Sequence, residues 1–245
     1  MLGAVLDETW TLYTRFFVRF FVIALIVFAI VNVLYALFLT AVSDGSAGGA
    51  AVTGLVAAAV TIVGSMWLTG ALVHAVVDAR DGTLETGVAD AFARARPFIT
   101  TLLLASLLAG LGILGGLLLL IVPGIILAVR WSLVAPVVVL EQRGVRASLG
   151  RSNVLVKGDS WTILALVLIV GVLGGIAGSL LQAAFSAFPT FVEVAVGQTI
   201  ASAVVQPFSA IAVTLAYLRL RDARDGVPGD DAEAPADPSP PAATS

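Results

Sequence analysis

The stretch FFVIALIVFAIVNVLYALFLTAV, from Phe20 to Val42, is almost entirely apolar and carries no charged side chain. A helix of about 20 such residues crosses the roughly 30 Å hydrocarbon core of a bilayer. The run is too long for the apolar core of a signal peptide, and Asp7 and Glu8 precede it where a signal peptide carries positive residues. We therefore predict a retained membrane-spanning helix here.

Five further apolar runs follow the first one. The chain is 59% hydrophobic and only 12% charged, whereas a soluble domain is about a quarter charged, so its natural solvent is lipid. We predict an all-α fold with six transmembrane helices in three hairpins, at Phe20–Val42, Val52–Val77, Phe98–Val122, Ile125–Leu140, Trp161–Phe185 and Val194–Leu218. Only Pro123-Gly124 separates the third run from the fourth, so we place a chain reversal there.

The basic residues fall on alternate connections. The connections after the first, third and fifth spans contain no lysine or arginine, and of the 13 basic residues only Arg130 lies inside a predicted span. Basic flanks remain in the cytoplasm, so we predict that both termini are cytoplasmic. The preference for arginine over lysine, with much alanine, glycine and valine, is typical of a GC-rich bacterial genome. We therefore expect a multi-pass protein of the bacterial inner (plasma) membrane.

Each hairpin is preceded by a short amphipathic segment, for which we predict a cytoplasmic interfacial helix. These segments begin LDETWTLYTRFF at Leu6, VADAFARARPFI at Val88 and RSNVLVKGDSWT at Arg151. They fit either three copies of one structural repeat or the ordinary flanks of any such hairpin.

The end of the chain differs from the rest. From Asp222 it is acidic and rich in proline and alanine, a composition that cannot bury a core. We predict a membrane domain over residues 1–221 and a disordered cytoplasmic tail over residues 222–245.

Residues that carry most catalytic chemistry are scarce. The chain has no cysteine and one histidine, His74, which excludes thiolate and multi-histidine metal sites. No nucleophile–base set, phosphate-binding loop or nucleic-acid surface is evident in the sequence. We predict a protein that is not an enzyme and has no metal, no cofactor and no nucleic-acid partner.

Arg130 is the first candidate binding residue. It lies six positions after Pro123-Gly124, which at 1.5 Å per residue is a depth of roughly 9 Å. Its guanidinium can reach the outer phosphates by snorkelling, pair with Glu193, or bind a phosphate or carboxylate.

Two further patterns lie in the last two spans. Gln198, Ser202 and Gln206 follow one another at a spacing of four, so they share a face of the sixth helix. That face either lines a cavity or hydrogen-bonds neighbouring helices. The fifth helix carries small residues at the same spacing, which predict close helix packing or dimerisation: Gly171, Gly174, Gly175, Gly178 and Ser179.

The segment from Ile121 to Trp161 carries a family resemblance. Its features are Pro123, Gly124, Arg130, Trp131, Pro136, Glu141, Arg151, Ser152, Leu155, Lys157 and Gly158. In this pattern the chain resembles the bacterial YciC-like six-helix membrane proteins, which are similar to the membrane domain of some glycerophosphoryl diester phosphodiesterases. The resemblance implies a six-helix membrane domain and no phosphodiesterase activity, because no catalytic domain follows.

Two functions remain open at this point, and we favour the first, with the second as the alternative. The first is a non-enzymatic membrane scaffold or accessory subunit that binds a membrane protein partner or forms a homo-oligomer. The second is a transporter-like protein that handles a lipid or a small anionic solute, with an anionic lipid as a partner of Arg130.

Overall fold

The computed structural model describes residues 1–42, 47–80 and 87–226, and all regular secondary structure in these ranges is helical. The helices are α1 Leu2–Arg15, α2 Phe17–Val42, α3 Ala47–Arg80, α4 Val88–Ala95, α5 Ile99–Leu119, α6 Ile121–Arg130, α7 Val134–Glu141, α8 Val145–Val156, α9 Ser160–Ala183, α10 Thr190–Val192 and α11 Thr199–Asp225, with a 3₁₀ turn at Arg96–Phe98 and a π-helix at Glu193–Gln198.

Six helical segments within the described ranges are long and apolar enough to cross a membrane. They are Phe17–Leu39, Gly54–Arg80, Val88–Leu119, Ile121–Glu141, Ser160–Ala183 and Thr190–Asp225. The prediction of an all-α protein with six such spans is confirmed. The last span continues to Asp225, four residues into the predicted tail, and residues 227–245 lie outside the described residues.

Short helices precede α2, α5 and α9, as predicted, and α4 forms the first part of the segment Val88–Leu119. α1 and α8 each bury one side against the bundle, and α4 buries Ala91 and Ala95. α8 begins at Val145, six residues before the predicted start, and ends at Val156. These helices are therefore docked onto the bundle as well as amphipathic.

The reversal between α5 and α6 lies at Leu120, and the predicted turn at Pro123-Gly124 is wrong. Leu120 is extended, with φ −161° and ψ 143°. Pro123 instead lies in the first turn of α6, where its missing N–H costs nothing. Gly124 is needed for close packing, because a Cβ there would lie 2.4 Å from Cγ of Leu117.

The fourth span is broken into α6 and α7 by a turn at residues 131–133. The ring of Trp131 fills the space above Gly112, where a Cβ would lie 2.4 Å from Cζ3 of the indole. α7 then runs through the protein interior, with Val137 and Val138 completely buried. It ends at Gln142, which adopts a left-handed conformation with φ 52°.

α11 is the central helix of the bundle. Ile211, Leu215 and Tyr217 have no exposed surface, and the helix packs against α1, α2, α3 and α9. Since lipid is as apolar as these side chains, this interior is held together by van der Waals packing and by interhelical hydrogen bonds.

Charged residues join the helices at one end of the bundle, here called the arginine-rich end, which carries Arg80, Arg143, Arg151, Arg219 and Arg224. Glu8 of α1 pairs with Arg80 of α3 and Arg219 of α11. Glu141 of α7 binds Arg151 of α8 at 2.9 Å and accepts a hydrogen bond of 3.0 Å from the Tyr217 hydroxyl. Burial alone would lower the pKa of Arg151, but its hydrogen bonds to Glu141 and Asp225 outweigh burial and raise that pKa. These pairs connect all three hairpins.

Candidate functional site

A cavity of about 690 Å³ lies between α9 and α11, with Phe28 of α2 on its wall. It is bordered by the second half of α9 and the first half of α11, so it lies in the part of the bundle away from the arginine-rich end. Its polar lining consists of Ser179, Gln182, Ser186, Gln198, Ser202 and Gln206. We call this space the glutamine cavity.

The predicted stripe on the sixth helix forms one wall of the glutamine cavity. Because Gln198, Ser202 and Gln206 are spaced by four, one helix face presents all three to the same space. None of the three side chains forms a hydrogen bond with another described residue, and the choice between a cavity wall and hydrogen bonding to a neighbouring helix stays a prediction.

The small residues of α9 have two different functions. Gly174 permits close contact with α11, because a Cβ there would lie 2.8 Å from Cγ1 of Val205, and Gly178 faces the same valine. Gly175 and Ser179 line the glutamine cavity. Gly171 faces outward, and a Cβ added to it would have nothing within 4 Å. Gly174 and Gly178 also line the cavity, and dimerisation through this row stays a prediction.

The cavity contains three glutamine amides that are not used in hydrogen bonds within the described part of the chain. None of Gln182, Gln198 and Gln206 forms a side-chain hydrogen bond with any residue in the described ranges. Each amide offers an acceptor oxygen and two N–H donors, and these groups remain accessible from outside the protein. The cavity is therefore equipped to bind a polar group or water.

Gln182 and Ser186 were not predicted from the sequence. A signal for them was available, since Ser179, Gln182 and Ser186 are spaced by three and four and extend the face that begins at Gly175. Their position close to the end of a span made them resemble ordinary flanking residues.

A π-helix shapes the end of the glutamine cavity where α11 begins. This rare form is found mostly as short insertions, often at functional sites. Gly197 within it lies against Phe185, since a Cβ there would be 2.8 Å from Cβ of the phenylalanine. The next residue but one, Thr199, accepts a hydrogen bond of 3.1 Å from Nδ2 of Asn32 on α2. The π-helix therefore sets the position of Gln198, and the hydrogen bond from Asn32 of α2 fixes the adjacent residue, Thr199.

Gln198 also borders a second cavity, of about 490 Å³, between α2, α3 and the π-helix. Asn32, Tyr35 and Thr61 supply the other polar groups of this second space. The side chain of Gln198 thus lies between two partly polar cavities that open to the surface of the bundle.

Glu193 does not contribute to the glutamine cavity. It is the first residue of the π-helix and is half-buried, and it has no ion pair within the described part of the chain. The suggested pair between Glu193 and Arg130 is absent among these residues.

Arg130 lies in a different place from the one expected. Its carbonyl accepts a hydrogen bond of 2.7 Å from Ser152 Oγ of α8, and its side chain borders a space that it shares with Ser160 and Trp161 of the first turn of α9. This turn follows Asp159, which pairs with Arg224 at the arginine-rich end. The fourth span breaks directly after Arg130. The Arg130 side chain therefore lies toward the arginine-rich end of the bundle.

No group of three or more histidine, cysteine, aspartate and glutamate side chains arranged to hold a metal ion occurs within residues 1–42, 47–80 and 87–226.

Comparison with known proteins gives one informative relative. A UPF0259 membrane protein of Pectobacterium carotovorum subsp. carotovorum (strain PC1) is 34% identical over 98 residues, which is 40% of this chain and 39% of the relative. The match thus spans well under half of the relative's length. No family model matches the chain, and no solved structure matches it. The resemblance to YciC-like proteins and to the phosphodiesterase membrane domain stays a prediction.

Proposed function

We propose that this multi-pass membrane protein binds a lipid, or another amphiphile, through an uncharged and hydroxyl-rich headgroup in the glutamine cavity. The observation that carries the proposal is the set of three glutamine amides without protein partners among the described residues. A hydroxyl group both donates and accepts hydrogen bonds, so it matches the two functions of an amide. The volume of about 690 Å³ lies within the range of small-molecule sites.

The charge of the cavity argues against an anionic ligand. No charged side chain of the described residues lines it, and a charge buried without a partner is strongly disfavoured. Arg130, the cation on which an anionic solute would depend, belongs to a separate space. An uncharged headgroup therefore fits better than the small anionic solute considered from the sequence.

The proposed orientation follows from the basic residues. With the arginine-rich end in the cytoplasm of a bacterial cell, the glutamine cavity belongs to the outer half of the plasma membrane. The ligand would then be a lipid of the outer leaflet.

The test is native mass spectrometry of the full chain extracted in native-lipid particles. We expect one uncharged hydroxylated lipid with the wild type, and about fivefold less with Gln182→Leu or Gln206→Leu, since each lost hydrogen bond contributes about 1 kcal/mol. Asn153→Leu is the matched control, because it removes an amide from α8, outside the cavity. Equal lipid retention by all variants would refute the proposal.

A scaffold is the second candidate function, and the outward face of α9 favours it. A Cβ added to Gly171 would have nothing within 4 Å, so another helix could approach the backbone closely there. In the same experiment, a stoichiometric protein companion that is lost with Gly171→Leu and kept with Gln206→Leu would support the scaffold in place of lipid binding.

A further inference from the structure

An apolar groove of about 370 Å³ runs along α6 to the first turn of α9. Val122, Ile125, Ile126 and Leu164 line it along its length, and Arg130, Ser160 and Trp161 supply its polar groups. We call it the Arg130 groove. The groove thus combines an apolar surface with a cation.

The charge of Arg130 is not neutralised by any residue in the described ranges. Among the described residues no carboxylate pairs with it, although nine ion pairs join other residues of this part of the chain. Asp159, the carboxylate nearest in sequence to the first turn of α9, pairs with Arg224 at 3.6 Å. Lys157, the cation nearest to that turn in sequence, is exposed. An arginine left unpaired beside lipid is costly, so an external anion has a favourable site here.

The polar groups of the groove belong at the membrane surface. Trp161 is 84% exposed in the first turn of α9, and tryptophan is enriched where headgroups meet hydrocarbon. The residues just before this turn bind Arg224: Lys157 through its carbonyl and Asp159 through its carboxylate. The headgroups beside Arg130 are therefore those of the leaflet at the arginine-rich end.

We propose that the Arg130 groove binds one anionic phospholipid of that leaflet. The phosphate accepts charge-assisted hydrogen bonds from the Arg130 guanidinium, and an acyl chain lies along Ile125, Ile126 and Leu164. Charge complementarity selects this occupant, because a neutral lipid leaves the arginine unpaired and a free anion leaves the apolar groove unused. This site is independent of the glutamine cavity and takes the opposite class of headgroup.

The experiment titrates the purified full chain in a mild detergent with phosphatidylglycerol or phosphatidylcholine and counts retained lipids by native mass spectrometry. We expect the wild type to retain phosphatidylglycerol about tenfold better, in keeping with the strength of hydrogen bonds to charged groups. Arg130→Gln reduces this preference to below about twofold.

The controls separate the groove from general electrostatics. Arg146→Gln removes an exposed cation of α8 outside the groove and should keep the preference. Ile126→Trp fills the groove while the charge of Arg130 remains, so it should weaken retention of phosphatidylglycerol several-fold. This variant also tests the proposal if Arg130→Gln does not fold.

Three results overturn the proposal: an unchanged preference in Arg130→Gln and Ile126→Trp, an equal loss in Arg146→Gln, or full displacement of the lipid by millimolar inorganic phosphate. The last would indicate a site for free anions. Gln206→Leu should leave this preference intact, so failure of the glutamine cavity proposal is distinguished from failure of this one.

Discussion

Single glycines decide how closely the helices of this bundle approach one another. Gly116 and Gly124 face each other across α5 and α6, and a Cβ on Gly116 would lie 2.9 Å from Cα of Gly124. In lipid, such close backbone contact is a main source of helix association. A residue that looks like a turn former in the sequence is therefore a packing residue in the fold.

Gly124→Ala should destabilise the protein by about 1–3 kcal/mol, since the new methyl group overlaps Leu117 and overpacking costs that much. Part of the overlap is with the Leu117 backbone nitrogen, 2.7 Å away, which cannot rotate aside. The measurement is thermal unfolding in detergent, followed by tryptophan fluorescence.

Gly115→Ala is the control for this substitution. Gly115 lies on the same hairpin, a Cβ added to it would have nothing within 4 Å, and the change should be neutral or stabilising by up to about 1 kcal/mol, because alanine favours helix. Equal melting temperatures for the two variants would contradict the packing role.

At the scale of secondary structure elements, local patterns predicted which segments are helices but not how the helices break. Long apolar runs predicted all six spans, and the spacing of four predicted the face formed by Gln198, Ser202 and Gln206. The break after Arg130 depends on contacts with distant residues, Ser152 on α8 and Gly112 on α5. The residue pattern of the fourth span gives no sign of those contacts. Neither the depth of Arg130 in the membrane nor the direction of its side chain could therefore be predicted from the sequence.

The sequence pattern left two uses open for the polar stripe that borders the glutamine cavity, a cavity wall or hydrogen bonding between helices. The two walls of the cavity were visible as a polar stripe on one helix and a row of small residues on another. The polar stripe of α11 faces the small residues of α9 because of the rotation of α9 about its own axis. The contact between Gly174 and Val205 sets this rotation.

Glu141 is the junction that connects α7, α8 and α11 at the arginine-rich end. Its carboxylate binds Arg151 of α8 and Tyr217 of α11, and both Glu141 and Arg151 are largely shielded, with side chains 12% and 16% exposed. Glu141→Ala leaves the Tyr217 hydroxyl without its partner and leaves Arg151 with Asp225 alone. We expect a loss of roughly 3 kcal/mol, in line with the removal of one member of a shielded pair.

The matched substitution is Glu193→Ala, because Glu193 has no ion pair within the described part of the chain. It should change stability by less than about 0.5 kcal/mol. Both variants are compared with the wild type by thermal unfolding in one detergent, and a Glu141→Ala melting temperature equal to that of the wild type would show that Glu141 is not a junction.

At the scale of the whole molecule, the two ends of the bundle differ in charge and in proposed ligand. The arginine-rich end carries the ion pairs and the groove for an anionic lipid. The other end carries uncharged polar groups in a cavity. This polarity predicts a fixed orientation across the membrane.

The orientation is tested with single cysteines, and the chain has no natural cysteine to remove. Ser186→Cys, near the glutamine cavity, should react with a membrane-impermeant maleimide in intact cells. Arg146→Cys should react only after lysis. The reverse pattern would invert the topology and assign the two proposed lipids to the opposite leaflets.

The contacts of α1 with α11 have a consequence for biosynthesis. Glu8 pairs with Arg219, Arg219 also donates to the carbonyl of Ala4, and the Tyr13 hydroxyl donates to the carbonyl of Val204. α1 therefore finds these partners only after α11 has been translated, although five of the membrane spans in the described ranges are made between the two. The amphipathic surface of α1 lets it lie on the membrane until then, so the packing of α1 against α11 is a late step of folding.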